Sequence, residues 1–145
     1  ANAPKNMVVL ADDSGLCVDA LGGGPGVRTA RYGMETFGRL LESGERNLFL
    51  LENMEHLKEP SERSAQFVCA LALVADKHRV FTFCESVHGR IAFAAYGKGG
   101  FGYDPVFFVT EAGKTMAELT DEEKDHYSHR GRAARHLITL LGEIA

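Results

Sequence analysis

The chain has no basic excess: Lys and Arg number 16 against 20 Asp and Glu, a formal net charge of -4. A surface that coats nucleic acid or an anionic membrane needs the opposite balance, so both are excluded as expected partners. A small anionic ligand is not excluded, because one local cluster of donors can hold a phosphate on an acidic protein. No apolar run approaches the roughly 18 residues of a membrane span, and no charged-then-apolar leader opens the chain. The expectation is a soluble, cytoplasmic protein. Cysteine is scarce, and Cys17, Cys69 and Cys84 are odd in number, widely spaced and set in apolar runs. That pattern reads as reduced core thiols rather than disulfides or a zinc site. Internal repeats, low-complexity tracts and a linker long enough to separate two domains are also missing.

What is present is an ordinary globular composition, 45% hydrophobic and 25% charged over 145 residues. At this length folding buries about 68–70% of the surface an unfolded chain exposes, so one domain over residues 1–145 can build a core without staples.

Met7 to Ala11 is a short apolar run rich in β-branched residues, the pattern of a buried strand, and it ends in Asp12-Asp13-Ser14-Gly15. Gly22 to Gly26 reads as a loop. Leucines and Met54 between Thr36 and Leu57 recur at near-helical spacing, predicting two helical pieces broken near Ser43-Gly44. Gln66–Ala75, Arg79–Glu85 and Arg90–Tyr96 predict three strands of an antiparallel meander, with turns at 76–78 and 87–89. A glycine-dense loop, Gly97 to Gly102, leads to a further strand at Val106–Val109. Thr120-x-x-Glu123 has the form of a capping box, and Ser128 can cap a last helix with Ala134, Leu137, Ile138, Leu141 and Ile144 as its apolar stripe. The class is α/β or α+β with a mixed sheet.

Three strings carry chemistry. Successive strand side chains point to opposite faces, so Asp12 and Asp13 cannot both aim into one site while the strand stays regular. They stand either as a turn-initiating pair or, at a strand's carboxyl end, as a metal or general-base site. Gly97-Lys98-Gly99-Gly100-Phe101-Gly102 matches G-x-G-x-x-G, but Asp104-Pro105 and a strand follow where the dinucleotide fold needs a helix. The loop instead presents Phe101, Tyr103 and Asp104, either to anchor a hairpin or to stack on a planar base. Lys124, His126, His129 and Arg130 cluster at a helix start, as a solvated basic face or a site for anions and carbonyl oxygens. The lysine and arginine argue against His126 and His129 as a metal pair.

Together these strings closely resemble the inosine triphosphate pyrophosphatases, which clear non-standard purine nucleotides. The matching segments are ADDSGLCVDALGGGPGVRTARYG at 11–33, GGFGYDPVFFV at 99–109, GKTMAELTDEEK at 113–124 and SHRGRAARHL at 128–137. The resemblance implies an α/β fold with a mixed twisted sheet flanked by helices. It implies hydrolysis of ITP, dITP or XTP between the α and β phosphates, giving nucleoside monophosphate and pyrophosphate, with Mg2+ as cofactor. Asp13 matches the catalytic, magnesium-binding carboxylate, and Ser14 a nucleotide contact. Phe101, Gly102, Tyr103 and Asp104 match the loop that holds base and sugar, with Phe101 stacking on the purine. Lys124, His129 and Arg130 match the remaining contacts, the last two reading the keto edge of the base. A homodimer is also implied.

Two departures accompany the likeness. The family opens with a strand, a Ser/Thr-x-Asn-x-x-Lys phosphate loop and a helix. No such string occurs here, and the chain opens on Ala1, so the expectation is a member lacking its opening segment and weak or inactive alone. Residues 34–64 match poorly, and no functional residue is expected there. The alternative from another class is a catalytically silent purine-nucleotide-binding module.

Overall fold

The computed structural model describes residues 8–76 and 78–144. Its centre is a six-stranded sheet in the order β2-β1-β3-β4-β5-β6. The strands are β1 Val9–Val18, β2 Pro25–Gly26, β3 Ser64–Val74, β4 Val80–Ile91, β5 Phe107–Val109 and β6 Lys114–Thr115. Every pairing among the described residues is antiparallel. The helices are α1 Met34–Phe37, α2 Ser43–Asn53, α3 Asp121–Tyr127 and α4 His129–Ile144. The α/β class expected from the sequence holds. No described helix is long and apolar enough to cross a membrane.

Strand β1 begins close to the predicted place, although Met7 lies outside the described residues. It does not stop at the acidic pair. It runs on to Val18 because Asp12 to Gly15 stay in register with Leu71 to Val68 of β3. The meander has two long strands where three were expected. Val87-His88-Gly89 lies inside β4 and pairs with Phe67 to Ala65. A side chain at Gly89 would collide with the Phe108 carbonyl, so this glycine permits close approach of β5 rather than a turn. Residues 92–96, expected as strand, are irregular.

Alternation along β1 and β3 gives the sheet one apolar face. Leu16 and Val18 face with Ala65, Phe67, Cys69, Leu71 and Leu73 into the core, all under a tenth exposed. Around Phe107, Leu50 of α2, Met54 just after it, and Tyr103, Val106 and Met116 from the connecting segments complete the main cluster. Fully burying a side chain of this size contributes about 1.5–3 kcal/mol. Helix α4 covers the other end of the same face with Ala133 and Leu137 on Cys69, Leu71 and Leu73. Its buried stripe is therefore rotated from the predicted one: Leu137 is buried, while Ile138 and Leu141 are exposed. The thiols divide by the same alternation. Cys69 is buried, Cys17 half-buried and Cys84 exposed, so Cys84 is not a core thiol; all three are free.

Both helix starts predicted near the end form as expected. Thr120 and Glu123 make the reciprocal bonds of a capping box, at 2.9 and 3.2 Å. Ser128 Oγ accepts the Gly131 N–H at 3.0 Å. Gly131 has a second task, since a side chain there would collide with the Asp125 backbone where α4 starts against the end of α3. The predicted break between helical pieces falls at 38–42, with Ser43 opening α2. Glu42 N–H bonds to the Glu45 carboxylate at 2.8 Å to fix that start.

Candidate functional site

Where β1, the loop before β5 and the α3–α4 junction meet, a cavity of about 510 Å³ opens. Pockets of roughly 300–1,000 Å³ suit small molecules. Ser14, Phe101, Gly102, Tyr103, Asp104, Lys124, His129 and Arg130, together with both carboxylates Asp12 and Asp13, all line it. Residues from Asp12 to Arg130, far apart along the chain, thus meet at one place.

The acidic pair is split by the strand. Asp12 and Ser14 share the face that carries Leu16, and Asp13 lies on the opposite one. On the cavity side Asp12 is engaged: Arg130 Nε stands 2.8 Å from its Oδ2, with Ser14 Oγ 3.4 Å and Cys69 Sγ 3.6 Å from its Oδ1. Arg130 Nη2 also donates to Ser14 Oγ at 3.3 Å. Burial pushes the Cys69 thiol pKa up, which leaves it a neutral donor. Asp13 stands exposed at the cavity rim and also lines a shallow depression with Ala70, Ala72, Thr82 and Cys84.

Among the described residues no three His, Cys, Asp or Glu side chains cluster to hold a metal ion. Magnesium commonly keeps several waters and takes one or two carboxylates plus substrate phosphates. An exposed carboxylate without a partner among the described residues, such as Asp13, fits that mode, whereas Asp12 already faces a guanidinium.

The aromatic loop is built around Asp104. Its Oδ2 accepts the Phe101 N–H at 2.9 Å and pairs with Lys124 Nζ. A side chain at Gly100 would collide with that carboxylate, and its φ of +73° is one that glycine adopts readily. The Phe101 ring is left 67% exposed, with Lys124 Nζ 5.1 Å and Arg130 Cζ 5.8 Å from its centroid. The cavity floor is the stacked pair Phe67 and His129, centroids 4.9 Å apart and planes 10° from parallel. Burial drives the His129 pKa down to about 4, helped by Arg130, so the imidazole is neutral at pH 7. Its Nδ1 is buried without a partner among the described residues.

The sequence model of the Ham1 family matches residues 1–140. The chain belongs to the Ham1 family. Its relatives include the dITP/XTP pyrophosphatase of Thermus thermophilus, 55% identical over 132 residues that make up 91% of this chain and 61% of the relative. The enzyme of the same name from Treponema denticola is 49% identical over 125 residues, 86% of this chain and 62% of the relative. This Ham1-family chain thus spans about three fifths of the length of those two proteins. Among solved structures, a HAM1 protein from Coxiella burnetii superposes with a TM-score of 0.84 at 40% identity, covering 96% of this chain and 69% of that one. The Staphylococcus aureus Ham1 protein gives 0.84 at 38%, covering 97% and 70%. The resemblance read from the sequence is borne out at the level of family and fold.

Several parts of this Ham1-family site carried no sequence signal. Phe67 reads only as a core strand residue. Thr29 accepts the Tyr103 hydroxyl through its carbonyl at 2.9 Å, a contact across 74 positions. Asn47 lies in the stretch where nothing functional was expected, yet it touches the aromatic loop. Arg46, beside it, lines the cavity.

Proposed function

We propose that the intact protein is a magnesium-dependent pyrophosphatase for non-standard purine nucleoside triphosphates, ITP, dITP and XTP, releasing nucleoside monophosphate and pyrophosphate and so cleansing the nucleotide pool. The supporting observation is the single cavity that joins an exposed aromatic ring on a glycine loop, a set of fixed N–H donors and a carboxylate at its rim. The names of the relatives, dITP/XTP pyrophosphatases, agree with it.

In this reading the purine lies against Phe101, flanked by Lys124 and Arg130. A base stacked on an aromatic ring gains about 1–3 kcal/mol. Arg130 and the neutral His129 offer N–H groups to the keto edge. A six-amino purine would leave such donors facing donors, and each unsatisfied one costs about 1–3 kcal/mol. Ser14 contacts the nucleotide, and Asp104 with Tyr103 holds base and sugar. Asp13 orients the attacking water from the rim. Bound with the triphosphate, magnesium would neutralise the phosphate oxygens.

One feature favours a second reading, a purine-binding module without turnover. Asp13 lies on the far face of β1 from Ser14. The implied homodimer has a candidate surface in the open face of the sheet, where Val9, Val74 and Val80 are all exposed. Mass measurement in solution tests the assembly. Pyrophosphate release from ITP, XTP, GTP and ATP, with and without Asp13→Asn, tests the activity. Binding of ITP without release in the intact protein would support the silent module.

A further inference from the structure

Helix α2 carries a polar side chain that no motif marks. Asn47 is 7% exposed, and its Nδ2 donates at 3.0 Å to the carbonyl of Gly102, 55 residues along the chain. Its Oδ1 is buried without a partner among the described residues. An apolar residue would occupy this position without desolvating an amide oxygen, so the only return on that cost is the bond to Gly102. Gly102 follows Phe101 directly. Phe101 sits between two left-handed glycines, Gly100 at φ +73° and Gly102 at φ +60°, backbone that allows wide rotation of the segment. With 67% of its surface exposed, the ring has little packing of its own to fix it. Its orientation depends on the anchors either side. Asp104 Oδ2 accepts the Phe101 N–H and is itself tied to α3 by Lys124, and the opposite side of the loop is held from α2 by Asn47.

We propose that Asn47 is a positioning residue: by holding the Gly102 carbonyl it sets the Phe101 ring at the cavity mouth, in the attitude a purine would stack on. The ordering of the loop stands on the geometry alone, and its consequence for ligands rests on the purine reading. The chain has no tryptophan, so Phe101→Trp places a single fluorescent reporter on the loop. In that background anisotropy and acrylamide quenching are compared for Asn47, Asn47→Leu and the isosteric Asn47→Asp, which sets a carboxylate against the carbonyl. Leu50→Ala, a truncation of the same helix in the core, controls for general loosening. In the Phe101 background the same substitutions are tested for dITP binding by calorimetry, with KM and kcat where turnover is present.

Both Asn47 variants are expected to raise quenching and lower anisotropy well beyond Leu50→Ala at matched loss of Tm. They are also expected to weaken dITP binding by about tenfold, in KM rather than kcat, the loss of roughly one hydrogen bond. Quenching unchanged in both variants, or changed equally by Leu50→Ala, would overturn the positioning role. A loosened loop with no nucleotide bound by any version would support the positioning and overturn the purine reading instead.

Discussion

Arg130 reaches across the cavity mouth to Asp12, with its Nε 2.8 Å from the carboxylate, so the member of the acidic pair that faces the cavity is already ion-paired. Its neighbour Asp13 is exposed and has no partner among the described residues. Under the proposed function the two would have different tasks: Asp12 would orient Arg130, and Asp13 would face water and a hydrated cation. Asp12→Asn is expected to raise KM for ITP about three- to tenfold by releasing Arg130, while changing stability by less than about 1 kcal/mol, because both partners are more than a third exposed. Asp13→Asn is expected to remove kcat and leave ITP binding within about twofold. The reverse pattern in steady-state kinetics would make Asp12 the catalytic carboxylate.

Under the proposed function Phe101 would contribute through its exposed face rather than through the core. Phe101→Ala is expected to leave Tm within a few degrees, since the ring is 67% exposed. It should weaken binding of ITP or its monophosphate by about 1–3 kcal/mol, the range for a stacked base. Calorimetric titration reads the binding and a thermal melt the stability. Unchanged affinity would remove the loop from the binding site.

His129 makes the fold sensitive to acid. Its folded pKa is depressed to about 4 from an ordinary 6.5, so between those values the unfolded chain binds the extra proton. Stability from this group is present above pH 6.5 and is lost as pH falls toward 4, to a total of about 3 kcal/mol at most. Urea melts across this window should show that slope, and His129→Gln should flatten it. The same slope in both proteins would assign acid sensitivity elsewhere.

Arg63 is a buried cation at the edge of the core. At 2% exposure its guanidinium donates to the carbonyls of Met54, Leu57, Ile91 and Ala92 at 2.7 to 3.3 Å and lies over the Phe93 ring. It ties the end of α2 to the end of β4. Arg63→Met would leave those carbonyls unsatisfied and should cost about 3 kcal/mol or more, read as a fall in denaturation midpoint. A neutral effect would mean that the carbonyls find water.

Much of this was legible in the chain because the signals were local. The capping box at Thr120, the cap at Ser128 and the apolar run before Asp12 depend on neighbours a few positions away. The ordered blocks at 11–33, 99–109, 113–124 and 128–137 carried the family likeness and named the residues that line the cavity. What stayed hidden were relations across the fold. Gly89 reads as a turn until the Phe108 carbonyl is seen against it. The rotation of α4 depends on where β3 and β4 lie beneath it, and the same hydrophobic run fits more than one face. Asn47 and Thr29 are ordinary helix and loop residues until Gly102 and Tyr103 arrive beside them. The acidic pair was legible as two residues that cannot share a site, but not which of them Arg130 would take.

The most direct test of the account is pyrophosphate release from ITP, XTP, GTP and ATP with magnesium. It should compare the protein with its Asp13→Asn variant. Release from ITP and XTP well above ATP, and none after Asp13→Asn, is the expected result, with GTP reading how far the keto edge alone selects. Equal release from ATP, or full activity in Asp13→Asn, would contradict it.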